Sequence, residues 1–167
     1  MSGRSGKSVA PRRRILITGF EAFGGESINP TQRLVEAVIA GEISAPSDVE
    51  LKAITLPVVF GDGFAKLKSE LKSFRPDIVL SFGQAGGRNA IEFERIAINM
   101  IDGDQKDNAG AVYRECVIEP GSPMALLSTL PVRALAEHLS ANEVPARVSN
   151  TAGLMCATSS SIVCSSR

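Results

Sequence analysis

A glycine-rich stretch near the start of the chain, Thr18-Gly-Phe-Glu-Ala-Phe-Gly-Gly25, sets Phe20 and Phe23 among Glu21 and Glu26. A glycine turn after a strand can cradle phosphate with its backbone N–H groups. Here the lysine and Ser/Thr of a nucleotide loop and the Gly-x-Gly-x-x-Gly spacing are both missing. Two aromatic rings and two carboxylates suit a flat, uncharged ring better than an anion, with hydrophobic plugs in a turn as the competing reading. A second glycine segment, Gly83-Gln-Ala-Gly-Gly-Arg88, frees backbone N–H groups and offers Gln84, whose amide pairs with a lactam or amide. Ile91-Glu-Phe-Glu-Arg95 follows it. In extended backbone Glu92 and Glu94 share a face, either as an acid/base pair or as solvated carboxylates with Arg95 as ion-pair partner. A third segment, Ser149-Asn-Thr-Ala-Gly-Leu-Met-Cys156, puts a thiol just after a run of small residues. At a helix start Cys156 would gain thiolate character from the helix dipole; in a core it would be a small inert hydrophobe.

The surrounding elements alternate between strand and helix patterns. Ile15–Thr18 reads as a buried strand closed by Gly19. Asn29-Pro-Thr-Gln32 opens a helix: Asn29 caps, Pro30 occupies the first turn, Gln32 can reach back to the cap, and Gly41 ends it. Leu51–Val59 is strand-like, with Pro57 marking an end or an edge. Phe64, Leu67 and Leu71 form a helical stripe stopped by Pro76, and Asp77–Phe82 is the next buried strand. Ile96–Ile101 predicts another strand. Pro131 opens a helix bearing Val132, Leu135 and Leu139, and Ala146–Ser149 is a last strand. Alternation of this kind predicts an α/β chain, a three-layer α/β/α sandwich around a largely parallel twisted sheet, with ligands gathered at the carboxyl ends of the strands.

Composition narrows the function further. Across 167 residues, eighteen Lys and Arg balance eighteen Asp and Glu, which argues against a protein that grips a phosphate backbone. No run approaches the ~18 apolar residues of a membrane span. Five of the basic groups lie in the first fourteen residues with no acidic partner, so residues 1–13 read as a disordered basic leader. That leader lacks the apolar run of a secretion signal, and a cytoplasmic protein is expected. Three cysteines and one histidine, His138, are too few for a disulfide framework or a zinc site, so no metal is expected. His138 itself reads as a solvated surface residue beside Glu137.

Taken in order, Thr-Gly-Phe-Glu-Ala-Phe-Gly-Gly25 with Ile28-Asn-Pro30, Gly83–Arg88 with Glu94-Arg-Ile-Ala-Ile-Asn99, and Ser149–Gly153 resemble the pyrrolidone-carboxylate peptidase (pyroglutamyl-peptidase I) family of cysteine peptidases. Weaker echoes fill the gaps, at Leu56–Gly61, Asp107-Asn108 and Ser128–Pro131, and the similarity runs from about Arg14 to Gly153. The resemblance implies an α/β/α fold in residues 14–153 and cytosolic, cofactor-free, commonly oligomeric proteins. It also implies removal of an N-terminal pyroglutamyl residue from peptides by a Cys-His-Glu arrangement. On this chain Glu94 matches the family's glutamate, Phe20 and Phe23 the phenylalanines that hold the pyroglutamyl ring, and Gln84 a polar residue near it. A neutral lactam wants aromatic walls and an amide partner; a thiol of pKa ~8.5 wants an imidazole to ionise it and a carboxylate to orient that imidazole.

The match breaks in three places. Glu92 stands where the family has Ser or Thr, and Asp104 where it has Arg. Cys156 sits one residue early after Gly153, and residues 154–167 read as an aberrant tail with no helical stripe. Back-translated with one choice of codons, the segment from Met155 gives in a neighbouring frame Tyr-Val-Cys-Asn-Gln-Leu-Phe-Tyr-Arg-Leu-Leu-Gln, close to the family's helix. The expectation is therefore a one-base deletion near Leu154 with early termination, loss of the family's histidine, and negligible turnover. The alternative is a non-catalytic remnant that keeps the Phe20/Phe23 pocket for a pyroglutamyl ligand. Peptides with N-terminal pyroglutamate are the expected partners, with no nucleic acid, no membrane, and a homo-oligomer suggested by the family.

Overall fold

The structure, a computed structural model, describes residues 12–151. The chain runs β1 (Arg13–Phe20), α1 (Pro30–Ile39), β2 (Val49–Leu56), α2 (Asp62–Phe74), β3 (Ile78–Ser81), β4 (Ile91–Ile98), β5 (Met100–Ile101), β6 (Cys116–Val117), β7 (Ala125–Leu127), α3 (Val132–Ala141) and β8 (Ala146–Thr151). β1 is central to a three-stranded sheet of order β2-β1-β3, parallel throughout. A second sheet, β7-β4-β8, joins β4 to β8 in parallel and to β7 antiparallel, and β5 and β6 form a short antiparallel ribbon. The expected α/β class with a largely parallel sheet is what the chain adopts.

β1 is buried on both faces because Leu16, Ile17 and Thr18 form a continuous apolar run with helices to cover it. Leu16, Ile54, Leu56 and Val79 make one core cluster, closed by Leu67, Leu71 and Phe74 of α2. Phe93, Val132 and Ala136 make a second, closed by Leu80 of β3, by Phe82 just beyond that strand, and from β8 by Ala146 and Val148. Each fully buried Leu or Val contributes about 1.5–3 kcal/mol. On the opposite face of β1 from Leu16, Gly19 lets α1 approach closely: a Cβ there would lie 2.3 Å from the Thr31 carbonyl oxygen.

Several element ends follow the sequence reading. Asn29 caps α1, Gly41 takes φ 77° just after it, and Pro57 falls immediately beyond β2. Three features differ. Gln32 does not reach back to the cap; its amide donates to Glu36 at 3.0 Å, and Thr31 takes the cap bond instead. β4 begins at Ile91, not Ile96, because its first half pairs with β8, and the alternating glutamates disguise a strand whose face is buried. Arg13, assigned to the leader, is the first residue of β1 and pairs with Val49. The leader up to residue 11 and the tail, with the proposed reading-frame change, lie outside the described residues. Among the described residues no helix is long and apolar enough to cross a membrane, and no three His, Cys, Asp or Glu side chains are grouped to hold a metal ion.

Candidate active site

The aromatic loop after β1 is fastened at both ends. Asn29 Oδ1 accepts from Thr31 N (2.9 Å) and from Thr31 Oγ1 (2.8 Å), while Asn29 Nδ2 donates to the Glu21 carbonyl at 3.0 Å. Thr31 Oγ1 in turn accepts from the Phe20 N–H at 2.9 Å. Glu21 is spent on structure: its Oε1 accepts from Val58 N–H (3.0 Å) and from Asn108 Nδ2 (2.9 Å). Asn108 Nδ2 also donates to the Ala22 carbonyl at 2.9 Å. Asp107, next to it, accepts from the N–H groups of Phe60, Ala109 and Ala111. The Phe60 and Ala111 N–H groups foremost hold its carboxyl below the ordinary value. The Asp107-Asn108 pair is thus the clip that holds the aromatic loop against the β2–α2 connection.

Strand alternation decides which side chains share a face. Leu80, Phe82 and Phe93 all pack toward α3, so their even- and odd-numbered neighbours point the other way. Leu80 pairs in register with Ile17, which turns Leu16, Thr18 and Phe20 to the face opposite α3. Glu92 and Glu94, flanking Phe93, turn to that same face. Phe20 is half-buried there against the first core cluster, and Phe23 is half-buried in the loop beyond it. The Phe82 N–H donates to the Thr18 carbonyl at 2.8 Å, so the segment that carries Gln84 leaves beside the aromatic loop. Thr18 Oγ1 and Gln84 Oε1 are both buried with no hydrogen-bond partner among the described residues.

Glu94 is fully buried. Ser149 lies opposite it in the β4–β8 register, and Arg88 Nη1 stands 3.7 Å from its Oε1. Burial lifts the carboxyl above its ordinary value, while Ser149 and then Arg88 favour the charged form and oppose that rise. Glu92, also buried, pairs with Arg88 through one oxygen and with Arg147 through the other, the Arg147 Nε contact being 2.7 Å. The expected Arg95 partnership does not form: Arg95 has the parity of Phe93 and points to the α3 face. Arg88 and Arg147 escaped the sequence reading because the 92–147 pairing exists only once β4 and β8 are in register.

Phe20, Phe23 and Gln84 thus lie at or just beyond the carboxyl ends of β1 and β3, while Glu94 lies on β4 of the second sheet with its side chain turned away from α3. Cys156 lies outside the described residues. His138 is exposed on α3, as expected, and its carbonyl accepts from Asn142 Nδ2 at 2.8 Å. Asp104, standing for an expected arginine, pairs with Arg114 at the surface.

The fold has counterparts among known proteins. The family profile described as pyroglutamyl peptidase matches residues 13–160. The pyrrolidone-carboxylate peptidase of Pyrococcus furiosus is 43% identical over 141 residues, covering 84% of this chain and 66% of that protein. The protein of the same name from Gloeobacter violaceus is 42% identical over 140 residues, covering 84% of this chain and 67% of its own length. Among solved structures, the P. furiosus pyrrolidone carboxyl peptidase superposes with TM-score 0.79 at 41% identity, over 85% of this chain and 67% of that one. The pyroglutamyl peptidase I of Bacillus amyloliquefaciens gives TM-score 0.77 at 35% identity, over 86% and 68%. The chain thus spans about two thirds of the length of the relatives it matches.

Proposed function

The chain belongs to the pyroglutamyl peptidase family, and from that membership we propose that its site takes the N-terminal pyroglutamyl residue of a peptide as substrate. The observation that carries this reading is Glu94: a fully buried carboxylate turned, like Phe20, away from α3, with a cation and a hydroxyl on hand to keep it charged. A buried negative charge of that kind stabilises and orients a cationic base, which is what thiol catalysis requires. Phe20 and Phe23 supply apolar walls for a flat lactam, and Gln84 an amide able to pair with it. Phe20 does this from the rim of the core, so its ring is positioned by packing as well as by the loop.

The chemistry is acyl transfer. A thiolate, assigned here to Cys156, attacks the carbonyl that joins the pyroglutamyl residue to the next one. The C–N bond breaks, the amine leaves with the proton given up by the thiol, and water then releases pyroglutamate from the thioester. His138, the one histidine of the sequence, is exposed on α3 and is not placed to carry that proton, so slow turnover is expected. The same reading includes a cytosolic homo-oligomer acting without a cofactor.

Calorimetric titration with a pyroglutamyl dipeptide analogue tests the pocket. Binding weakened at least tenfold by Phe20→Ala or Phe23→Ala supports it, and no binding by the folded chain overturns it. A fluorogenic pyroglutamyl amide tests turnover. Release abolished by Glu94→Gln would extend the reading to catalysis and overturn the expectation of negligible activity.

A further inference from the structure

A line of alternating charges crosses the sheet face beside the proposed pocket. Arg147 of β8 holds Glu92 of β4; Glu92 holds Arg88 of the β3–β4 loop; Arg88 faces Glu94. We propose that Arg88 is a positioning residue for Glu94, and that Glu92, anchored by Arg147, is what keeps Arg88 in place. The bearing of this on catalysis rests on the role given to Glu94 above; the arrangement itself does not.

The geometry supports a division of labour. Arg88 makes a close ion pair with Glu92 and a longer one, 3.7 Å, with Glu94, so its guanidinium is anchored on the first and aimed at the second. Both contacts are made by one nitrogen, Arg88 Nη1, which stands between the two carboxylates. Arg88 leaves the backbone in a glycine-rich loop, where Gly87 takes φ 76°. The side chain of Arg88 is still 32% exposed, whereas those of Glu92 and Glu94 are 5% and 0% exposed. An unanchored arginine in that setting would spend its time in water. Without it, Glu94 would be a carboxylate out of contact with solvent and with no cation beside it among the described residues, a state that proteins relieve by protonating the group.

Among the described residues, no other charged group competes for Glu94. Of the elements packed on β4, β7 brings only Ala125, Leu126 and Leu127. From β8, Ser149 lies opposite Glu94 and Arg147 opposite Glu92. The ionisable groups of α3 (Arg133, Glu137 and His138) belong to the far face, where Val132 and Ala136 meet Phe93. Arg95 points to that far face as well. Glu92 is itself a like charge two residues from Glu94, so it acts in two opposed ways: it repels the Glu94 anion directly and supports it through Arg88. The proposal is that the second effect wins.

Titration of the Glu94 carboxyl carbon by NMR tests this in the full chain carrying 13C-labelled glutamate, with the resonance assigned by its loss in Glu94→Gln. Arg88→Met should raise the Glu94 midpoint by about one pH unit or more, a tenfold change in its ionisation constant; an unmoved midpoint overturns the proposal. Glu92→Gln should also raise the midpoint in the otherwise native chain, yet lower it in the Arg88→Met background, where only the like-charge repulsion is left to remove. A fall in both backgrounds would show that Glu92 acts as a neighbouring charge alone, which sinks its positioning role. Glu92→Gln keeps the shape of the side chain, and the sign of its shift alone decides the matter if Arg88→Met does not fold. Since the titration needs no turnover, its result is separable from whether the chain ever releases pyroglutamate.

Discussion

Asn108 Nδ2 donates to Glu21 Oε1 at 2.9 Å, tying the aromatic loop to a segment 87 residues further along the chain. The same amide reaches the Ala22 carbonyl, and the Asn108 backbone N–H donates to the Val58 carbonyl at 2.8 Å. One residue thus joins the loop after β1, the β2–α2 connection and the region beyond β5.

Asn108→Ala should therefore loosen the aromatic loop without unfolding the sheet. Two exposed side-chain hydrogen bonds are lost, costing about 1 kcal/mol in all. The larger effect falls on ligand: affinity for a pyroglutamyl analogue should drop severalfold because Phe20 and Phe23 are no longer held in one arrangement. Denaturant unfolding and calorimetry read the two separately. Unchanged affinity would show that the clip does not reach the rings.

Gly19→Ala should be severe. Its Cβ would sit 2.3 Å from the carbonyl oxygen and 2.7 Å from the carbonyl carbon of Thr31, backbone atoms that cannot swing aside. α1 must shift, taking the Asn29 cap with it, at a cost of about 3 kcal/mol or more. Gly25 makes the control: φ is 83° but nothing lies within 4 Å, so alanine there should cost only about 1–2 kcal/mol of backbone strain. Equal losses of Tm at the two positions would contradict the close helix approach.

Glu94 should make the fold more stable in acid. Its carboxyl is raised in the folded chain, mainly by burial, so the folded state holds the proton more tightly than the unfolded one. That contribution is present below the ordinary glutamate value and is lost as pH rises through the raised one. Glu94→Gln removes the cost of ionising a buried group and should raise Tm at neutral pH, with the gain vanishing as pH falls below the ordinary glutamate range. A gain independent of pH would mean that packing, not charge, is responsible.

Asp107 should show the opposite sign. Its carboxyl is lowered by the N–H groups of Phe60 and Ala111 before the others, so the charged form supports the fold above the ordinary aspartate value and the support fades as pH falls through the lowered one. Asp107→Asn should lower Tm at neutral pH, and the gap to the native chain should close in acid. A constant gap across a Tm-versus-pH series would rule this out.

What the sequence determined by itself is whatever local pattern and chain order can encode. The apolar run Ile15–Thr18 is a strand in any α/β chain, Asn29-Pro30 is a helix start, and Pro57 cannot continue a ladder. Motif order was enough to point at Glu94, Phe20, Phe23 and Gln84, since a resemblance spread over most of the chain survives ignorance of the fold. Tertiary structure decided the partners. Glu92 takes Arg147, 55 residues away, because parallel register sets the two opposite, and a neighbouring arginine at 95 is lost because alternation turns it to the other face. Glu21 stands in sequence beside two aromatic rings in a glycine loop, with nothing local to name its partners, yet Val58 and Asn108 close on it from distant segments. Periodicity reports which face a side chain takes; only folding reports what stands across from it.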